Sequence, residues 1–119
     1  MLCFPHTEIP EQPVDMEGAQ GVTVRWLLAN DQGARNFHMR RFTVAPGGQT
    51  PRHAHGYEHE VYVLEGRGEL WDGPAGEWRA LQPGDVVLAP ADEEHQFRAS
   101  ADEGLVFLCS IPGEELRGR

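Results

Sequence analysis

Glycine and proline interrupt this chain so often that long helices are excluded. Fourteen glycines and nine prolines are spread over 119 residues. The runs between them are short and rich in β-branched and aromatic side chains, and helical periodicity never persists beyond about ten residues. This pattern predicts many short strands, which we place at 22–29, 36–45, 58–65, 68–72, 77–81, 85–90, 95–99 and 104–111.

Strands without intervening helices predict an all-β fold. Such a chain buries one face of its sheet and protects its strand edges by forming a closed or two-layered antiparallel structure, a β-sandwich or jelly-roll barrel. The length of 119 residues suits one domain with one core. Residues 1–20 contain Pro5, Pro10 and Pro13 and little apolar periodicity. We expect an extended N-terminal arm there, outside the core, and the β-barrel domain at 21–119.

The charge and the N-terminus restrict the possible partners. A net charge of −9 and scattered basic residues argue against nucleic acid, which is bound by clustered arginine and lysine. The chain shows neither a secretory signal nor an apolar run long enough to span a membrane. We therefore expect a cytoplasmic protein. Cys3 and Cys109 are far apart in the sequence and lack Cys-x-x-Cys spacing, which fits reduced thiols better than a disulfide.

Four of the six histidines lie in two segments framed by glycine and proline. Residues two apart on a strand face the same way, so His53 and His55 can present both imidazoles to one point. His59 shares their parity if the strand continues, and Gly56 allows the backbone to bend between them. Neutral imidazole binds zinc, copper, iron and nickel. These three residues and His95 are therefore predicted to hold one divalent transition metal.

Other interpretations of the histidines are weaker. A single histidine is more often an ordinary surface or core residue than a ligand, but the clustering here favours a site. The segment from His55 to His59 also satisfies the His-x-x-Glu-His spacing of a zinc peptidase. That motif needs a helix, and here Pro51, Gly56 and a strand-like run surround it.

The spacing of these residues resembles that of a small single-domain cupin. In the first cupin motif a glycine, a His-x-His pair, a glutamate and a second glycine follow at set intervals. Gly47, His53, His55 and Gly66 fall on their positions, and His59 falls where most cupins have glutamate.

The second cupin motif is matched less completely. Gly84, Pro90 and His95 occupy their positions, whereas Asp92 replaces a glycine and Ala99 replaces an asparagine. These departures concern turn geometry more than metal binding. The resemblance implies a cupin-type double-stranded β-helix, a jelly-roll barrel, over about residues 20–112.

The departure at position 59 affects the expected metal chemistry. Three histidines and one carboxylate are associated in cupins with manganese or iron, whereas His59 makes this chain similar to the four-histidine monocupins. Glu60 would restore a carboxylate, but it has the wrong parity and the wrong spacing to Gly66. Four neutral ligands leave the charge of the ion uncompensated and its Lewis acidity high. Manganese, iron, zinc, nickel and copper all stay open as the resident metal.

Strand parity also predicts a substrate pocket and a partner surface. Phe97 shares the parity of His95, while Phe107, Cys109 and Ile111 share one face of the last strand, so these side chains either line the cavity or form ordinary core. Arg40 and Arg41 alternate faces, and Arg40 is the candidate that would enter the cavity and meet an anionic substrate. Apolar outward residues such as Tyr62 and Leu64, together with the proline-rich arm, predict a homodimer.

Three hypotheses of function follow. Resemblance to cupin oxygenases implies a metal-dependent dioxygenase-type oxidoreductase that acts on a small oxygenated organic molecule. A redox-neutral metal enzyme, an isomerase or hydrolase, is the first alternative, and a non-enzymatic module that binds a small molecule or metal is the second. The catalytic residues stay unassigned, because Glu58 and Glu60 are expected to face outward and offer no general base.

Overall fold

The protein consists of nine β-strands, in a computed structural model that describes residues 1–117. The strands are β1 (Gln12–Pro13), β2 (Gln20–Leu28), β3 (Phe37–Gln49), β4 (His59–Gly66), β5 (Gly68–Asp72), β6 (Glu77–Leu81), β7 (Val86–Ala89), β8 (His95–Ala99) and β9 (Leu105–Pro112). Two short 3₁₀ turns, His6–Glu8 and Asn30–Gln32, supply the helical structure of this range. The all-β prediction is confirmed.

All eight predicted strands are present, and the largest difference is at the end of β3. This strand continues to Gln49, through a proline and two glycines that lie beyond its predicted end at residue 45. Gln20 of β2 pairs with Gln49, but Val22 pairs with Val44, so the extra residues of β3 form a bulge. At Gly48 a Cβ atom would lie 2.5 Å from the carbonyl oxygen of Gln20. The glycine therefore permits the close approach of two strands rather than a reversal of the chain.

The strands form one curled antiparallel sheet. Its order is β6-β5-β8-β3-β9-β4-β7, with β2 paired to β3 and β1 paired to β2. β3 and β9 pair over eight residues, from Phe37 with Pro112 to Val44 with Leu105. Near its C-terminal end β3 also pairs with β8, through Gln49 and Arg98. One long strand thus contacts both halves of the sheet, which is consistent with the predicted jelly-roll barrel.

Alternation along β4 follows the predicted parity. His59, Val61 and Val63 are buried, whereas Glu60 and Tyr62 are exposed. The inward side chains of this and neighbouring strands form one apolar core, in which burial of each large side chain contributes roughly 1.5–3 kcal/mol. Its most deeply buried members are Val44, Val63, Leu105, Phe107 and Cys109.

The N-terminal arm is closer to the core than predicted. Gln12 and Pro13 pair with β2, and the N–H of Val14 donates to the carbonyl oxygen of Val22 at 3.0 Å. Val14 and Ala19 pack against the core. The expectation that the whole arm lies outside the core is therefore wrong for these residues, because its apolar side chains cover one side of the barrel.

Within residues 1–117, no helix is long and apolar enough to cross a membrane. Cys3 is exposed and Cys109 is buried, and both are free thiols. Their reduced state stays a prediction.

Candidate metal centre

The candidate site is built where the segment before β4 runs beside the start of β8. The N–H of His53 donates to the carbonyl oxygen of His95 at 3.2 Å, and the N–H of His95 donates back to His53 at 2.9 Å. Upstream, the N–H of Thr50 donates to the carbonyl oxygen of Phe97 at 2.8 Å, and the Gln96 side chain donates to the carbonyl oxygen of Thr50, also at 2.8 Å. These bonds hold the two histidine segments side by side.

Three of the four candidate ligands form a close group, and His59 lies beside it. Ring nitrogens of His53, His55 and His95 all lie within 4.8 Å of one another. The Nε2 atoms of His53 and His55 are 3.0 Å apart, which suits two nitrogens that each bind one ion at about 2.1 Å. His59, the first residue of β4, stacks on His55 with 4.7 Å between ring centres and lies 5.1 Å from the His95 ring.

The hydrogen bonds of His95 and His59 leave Nε2 available for a metal. Nδ1 of His95 donates to the carbonyl oxygen of Glu93 at 2.9 Å. Nδ1 of His59 lies 3.3 Å from Cys109 Sγ, and His59 Nε2 is buried without a hydrogen-bond partner among the described residues. Ligating histidines usually donate their other ring nitrogen in this way, and a buried polar atom without a partner is costly. The residues present therefore fit a metal ion.

No carboxylate of residues 1–117 belongs to the histidine cluster. Glu58 and Glu60 are exposed, and Glu60 pairs with Leu88 on the outer face of the sheet. Among the described residues that line the adjoining cavity, Asp15 is the one acid, and it lies in the exposed arm. The donor set available at this point consists of neutral imidazoles, and outward placement of both glutamates agrees with the parity argument.

The surroundings of the histidines favour the unprotonated form. Burial, followed by the neighbouring His55 and His95, lowers the pKa of His53 to about 4. Burial and the positive charge of Arg40 lower the pKa of His59 to about 2, and burial also lowers the pKa of His55. At neutral pH these three rings are uncharged, so their lone pairs can bind a cation without loss of a proton.

A cavity of about 400 Å³ opens beside the histidines. Phe97, Phe107, Cys109 and Ile111 are buried and line it, as does Arg40. The structure thus brings together the side chains that strand parity assigned to a pocket. Burial raises the pKa of the Cys109 thiol, and nearby Arg40 opposes that change.

Several cavity residues were not identified from the sequence. Tyr57 stacks on both His55 and His59, with ring centres 5.1 and 5.5 Å apart. Its odd number matches the parity of the histidines, so this contact was predictable. Trp26 and Arg117 also line the cavity. Trp26 reaches the cavity because β2 pairs with β3, and Arg117 belongs to the segment after β9. Neither position could be predicted from neighbouring residues in the sequence.

Two proteins with named enzymatic activities are similar to this chain in sequence. A 1-methylthio-D-xylulose 5-phosphate methylsulfurylase from Rhodospirillum rubrum is 43% identical over 76 residues, which cover 64% of this chain and 47% of that protein. The chain thus spans about half the length of this relative. L-ectoine synthase from Halomonas elongata is 31% identical over 105 residues, which cover 87% of this chain and 75% of the synthase.

Solved structures of other proteins are similar to this chain in both fold and sequence. The polyketide cyclase RemF from Streptomyces resistomycificus superimposes with a TM-score of 0.90 and 34% identity over 94% of this chain and 79% of its own. A cupin-2 domain from Rhodospirillum rubrum gives a TM-score of 0.80 and 32% identity over 94% of this chain and 73% of its own. The family described as Cupin domain matches residues 40–111, which hold all four site histidines. The chain belongs to the cupin family.

Proposed function

We propose that the protein is a metal-dependent enzyme in which His53, His55, His59 and His95 hold one divalent transition metal. The observation that carries this proposal is the convergence of three imidazoles within 4.8 Å, beside the Nε2 of His59, which is buried and has no hydrogen-bond partner within residues 1–117. Elemental analysis of the protein as isolated identifies the metal among zinc, nickel, copper, iron and manganese.

The donor set supports redox-neutral chemistry on a carbonyl or enol oxygen of a small molecule. When bound by four neutral ligands, a divalent ion keeps its full charge and acts as a Lewis acid toward a substrate oxygen. The protein contributes a cavity whose inner wall, formed by Phe97, Phe107 and Ile111, is buried and apolar. Exclusion of water by this wall strengthens electrostatic interactions within the site.

The similar proteins also favour a redox-neutral reaction. RemF is a polyketide cyclase, and the relative from Halomonas elongata is an L-ectoine synthase. Ring closure of the kind that a cyclase performs transfers no electrons to oxygen. This comparison supports a redox-neutral enzyme, the first alternative predicted from the sequence, over the dioxygenase that was the leading hypothesis.

Turnover with and without oxygen tests the proposal. The metal-loaded protein is incubated with a panel of keto acids, diketones and polyketide-like phenols, under argon and under air, and products are followed by NMR. We expect conversion under argon at the rate seen in air, and its loss in His53→Ala. Tight binding of these compounds without any turnover would contradict an enzyme and favour a binding module.

A dioxygenase is the second candidate. The observation in its favour is the mostly apolar cavity beside the histidines, since dioxygen is a small apolar molecule that such a cavity admits. If the iron-, manganese- or copper-loaded protein converts a substrate of the same panel only in air, with uptake of dioxygen, this candidate replaces the first.

The homodimer and the cytoplasmic location stay predictions. The chain has apolar side chains on its outer face, including Tyr62, Val86 and Leu88, which is compatible with a second copy as partner. A light-scattering measurement of the molar mass tests the dimer.

A further inference from the structure

Arg40 projects from β3 into the cavity and stacks between aromatic rings. Its guanidinium carbon lies 5.2 Å from the ring centre of Trp26 and 4.8 Å from that of Phe42. Nη2 donates to Cys109 Sγ at 3.1 Å and lies 3.4 Å from His59 Nδ1. The positive charge is thus held beside the candidate metal centre, next to the His59 ring.

This cation has no acidic partner in the described part of the chain. Six other arginines of residues 1–117 form ion pairs with carboxylates. Within the same range Arg40 forms none, and its Nε is buried without a hydrogen-bond acceptor. The adjacent Arg41, on the opposite face of β3, lies 4.0 Å from Glu65. An arginine offers five donors, and a buried charge left unpaired is costly, so the free donors of Arg40 suit an anion that enters the cavity.

The charges that line the cavity also favour an anionic ligand. Although the chain carries a net charge of −9, the charged side chains that line the cavity within residues 1–117 are Arg40, Arg117 and Asp15. Arg117 lies over the Tyr57 ring at 4.7 Å. The cavity therefore has a positive balance inside an acidic protein, and a bound divalent ion would add to it. Such a potential attracts a small anionic substrate.

We propose that the cavity binds a small organic carboxylate whose anionic group pairs with the guanidinium of Arg40 and whose apolar or planar body lies between the aromatic walls toward the histidines. This inference rests on the proposed function, since it names the substrate class of the same site. Arginine binds carboxylates through paired hydrogen bonds. A volume of about 400 Å³ accommodates such a molecule.

A matched pair of probes tests the charge directly. Binding of 4-acetylbenzoate and of its neutral counterpart 4-acetylbenzamide is measured by isothermal titration calorimetry, on the full chain as isolated and after metal loading. We expect the carboxylate to bind at least tenfold more tightly than the amide. Arg40→Gln should reduce carboxylate affinity to that of the amide and leave the amide unchanged, while Arg40→Lys should retain part of the preference.

Arg41→Gln is the control, because it removes the same charge from the outer face of the same strand. It should bind both probes as the wild-type protein does. Equal affinities of acid and amide, a preference unchanged in Arg40→Gln, or no detectable carboxylate binding at millimolar concentration would overturn the inference. Metal content is measured on the same samples. A protein that takes up no metal on loading and still prefers the carboxylate refutes the proposed function alone, and a metal-loaded protein without the preference refutes the inference alone.

Discussion

Acidification of the metal-free protein should remove stability through His59. Its pKa is about 2 in the folded protein and about 6.5 in an unfolded chain. Below pH 6.5 the unfolded chain therefore binds a proton that the folded chain does not. The stability that His59 contributes is complete above pH 6.5 and falls as the pH falls, because the state that binds more protons is favoured by acid.

The size of this effect follows from the burial of the ring. His59 is 6% exposed, so solvent does little to weaken the effects that lower its pKa. Between pH 6.5 and pH 5, protonation of this one group in the unfolded chain lowers the free energy of unfolding by about 1.4 kcal/mol per pH unit, which amounts to about 2 kcal/mol. His53, whose pKa is about 4, adds a smaller amount in the same direction, because its ring is only partly buried and is screened by water.

Urea unfolding with a chelator present, followed by tryptophan fluorescence at pH 7 and pH 5, measures this loss. In His59→Gln the loss of unfolding free energy between the two pH values should shrink by about 2 kcal/mol. His6→Gln changes an exposed histidine of the arm and serves as the control, with the wild-type loss retained. Equal losses in wild-type protein and His59→Gln would refute the reasoning.

Two further predictions concern the fold and the assembly. Gly66→Ala should destabilise the protein by more than about 3 kcal/mol, since Gly66 has φ 83° and a Cβ there would overlap the carbonyl oxygen of Gly104. Gly76→Ala, at φ 68° with open space around it, should cost only about 1 kcal/mol in urea unfolding. Light scattering should give twice the 13.3 kDa chain mass, and Leu88→Glu, on the exposed outer face, should give monomers; a monomeric wild-type protein would contradict the predicted dimer.

Local signals in the sequence were sufficient for the strands and for the faces of their side chains. Turn residues at short intervals marked the ends of the predicted strands. Because side chains alternate between the two faces of a strand, His59, Val61 and Val63 were predicted to share one face of β4, and all three are buried. The same rule brought Phe107 and Cys109 to the cavity. Both properties depend on neighbours close in sequence, which is why a single chain reveals them.

Features that depend on pairing between distant strands were not predictable. The two glycines of β3 resembled a turn, but their role is a bulge where β2 approaches closely. The arm resembled a free segment, yet Val14 packs against the core. Trp26 reaches the cavity because it pairs with Arg40 across β2 and β3, and no local pattern encodes that register.

Metal content tests the central claim of a four-histidine centre most directly. Mass spectrometric elemental analysis of the purified wild-type protein should give one divalent transition metal per chain. His53→Ala and His95→Ala should each abolish stoichiometric metal, because each removes a ring nitrogen from the group that lies within 4.8 Å, while His6→Ala in the exposed arm should retain it. Full occupancy in both site variants would contradict the assignment.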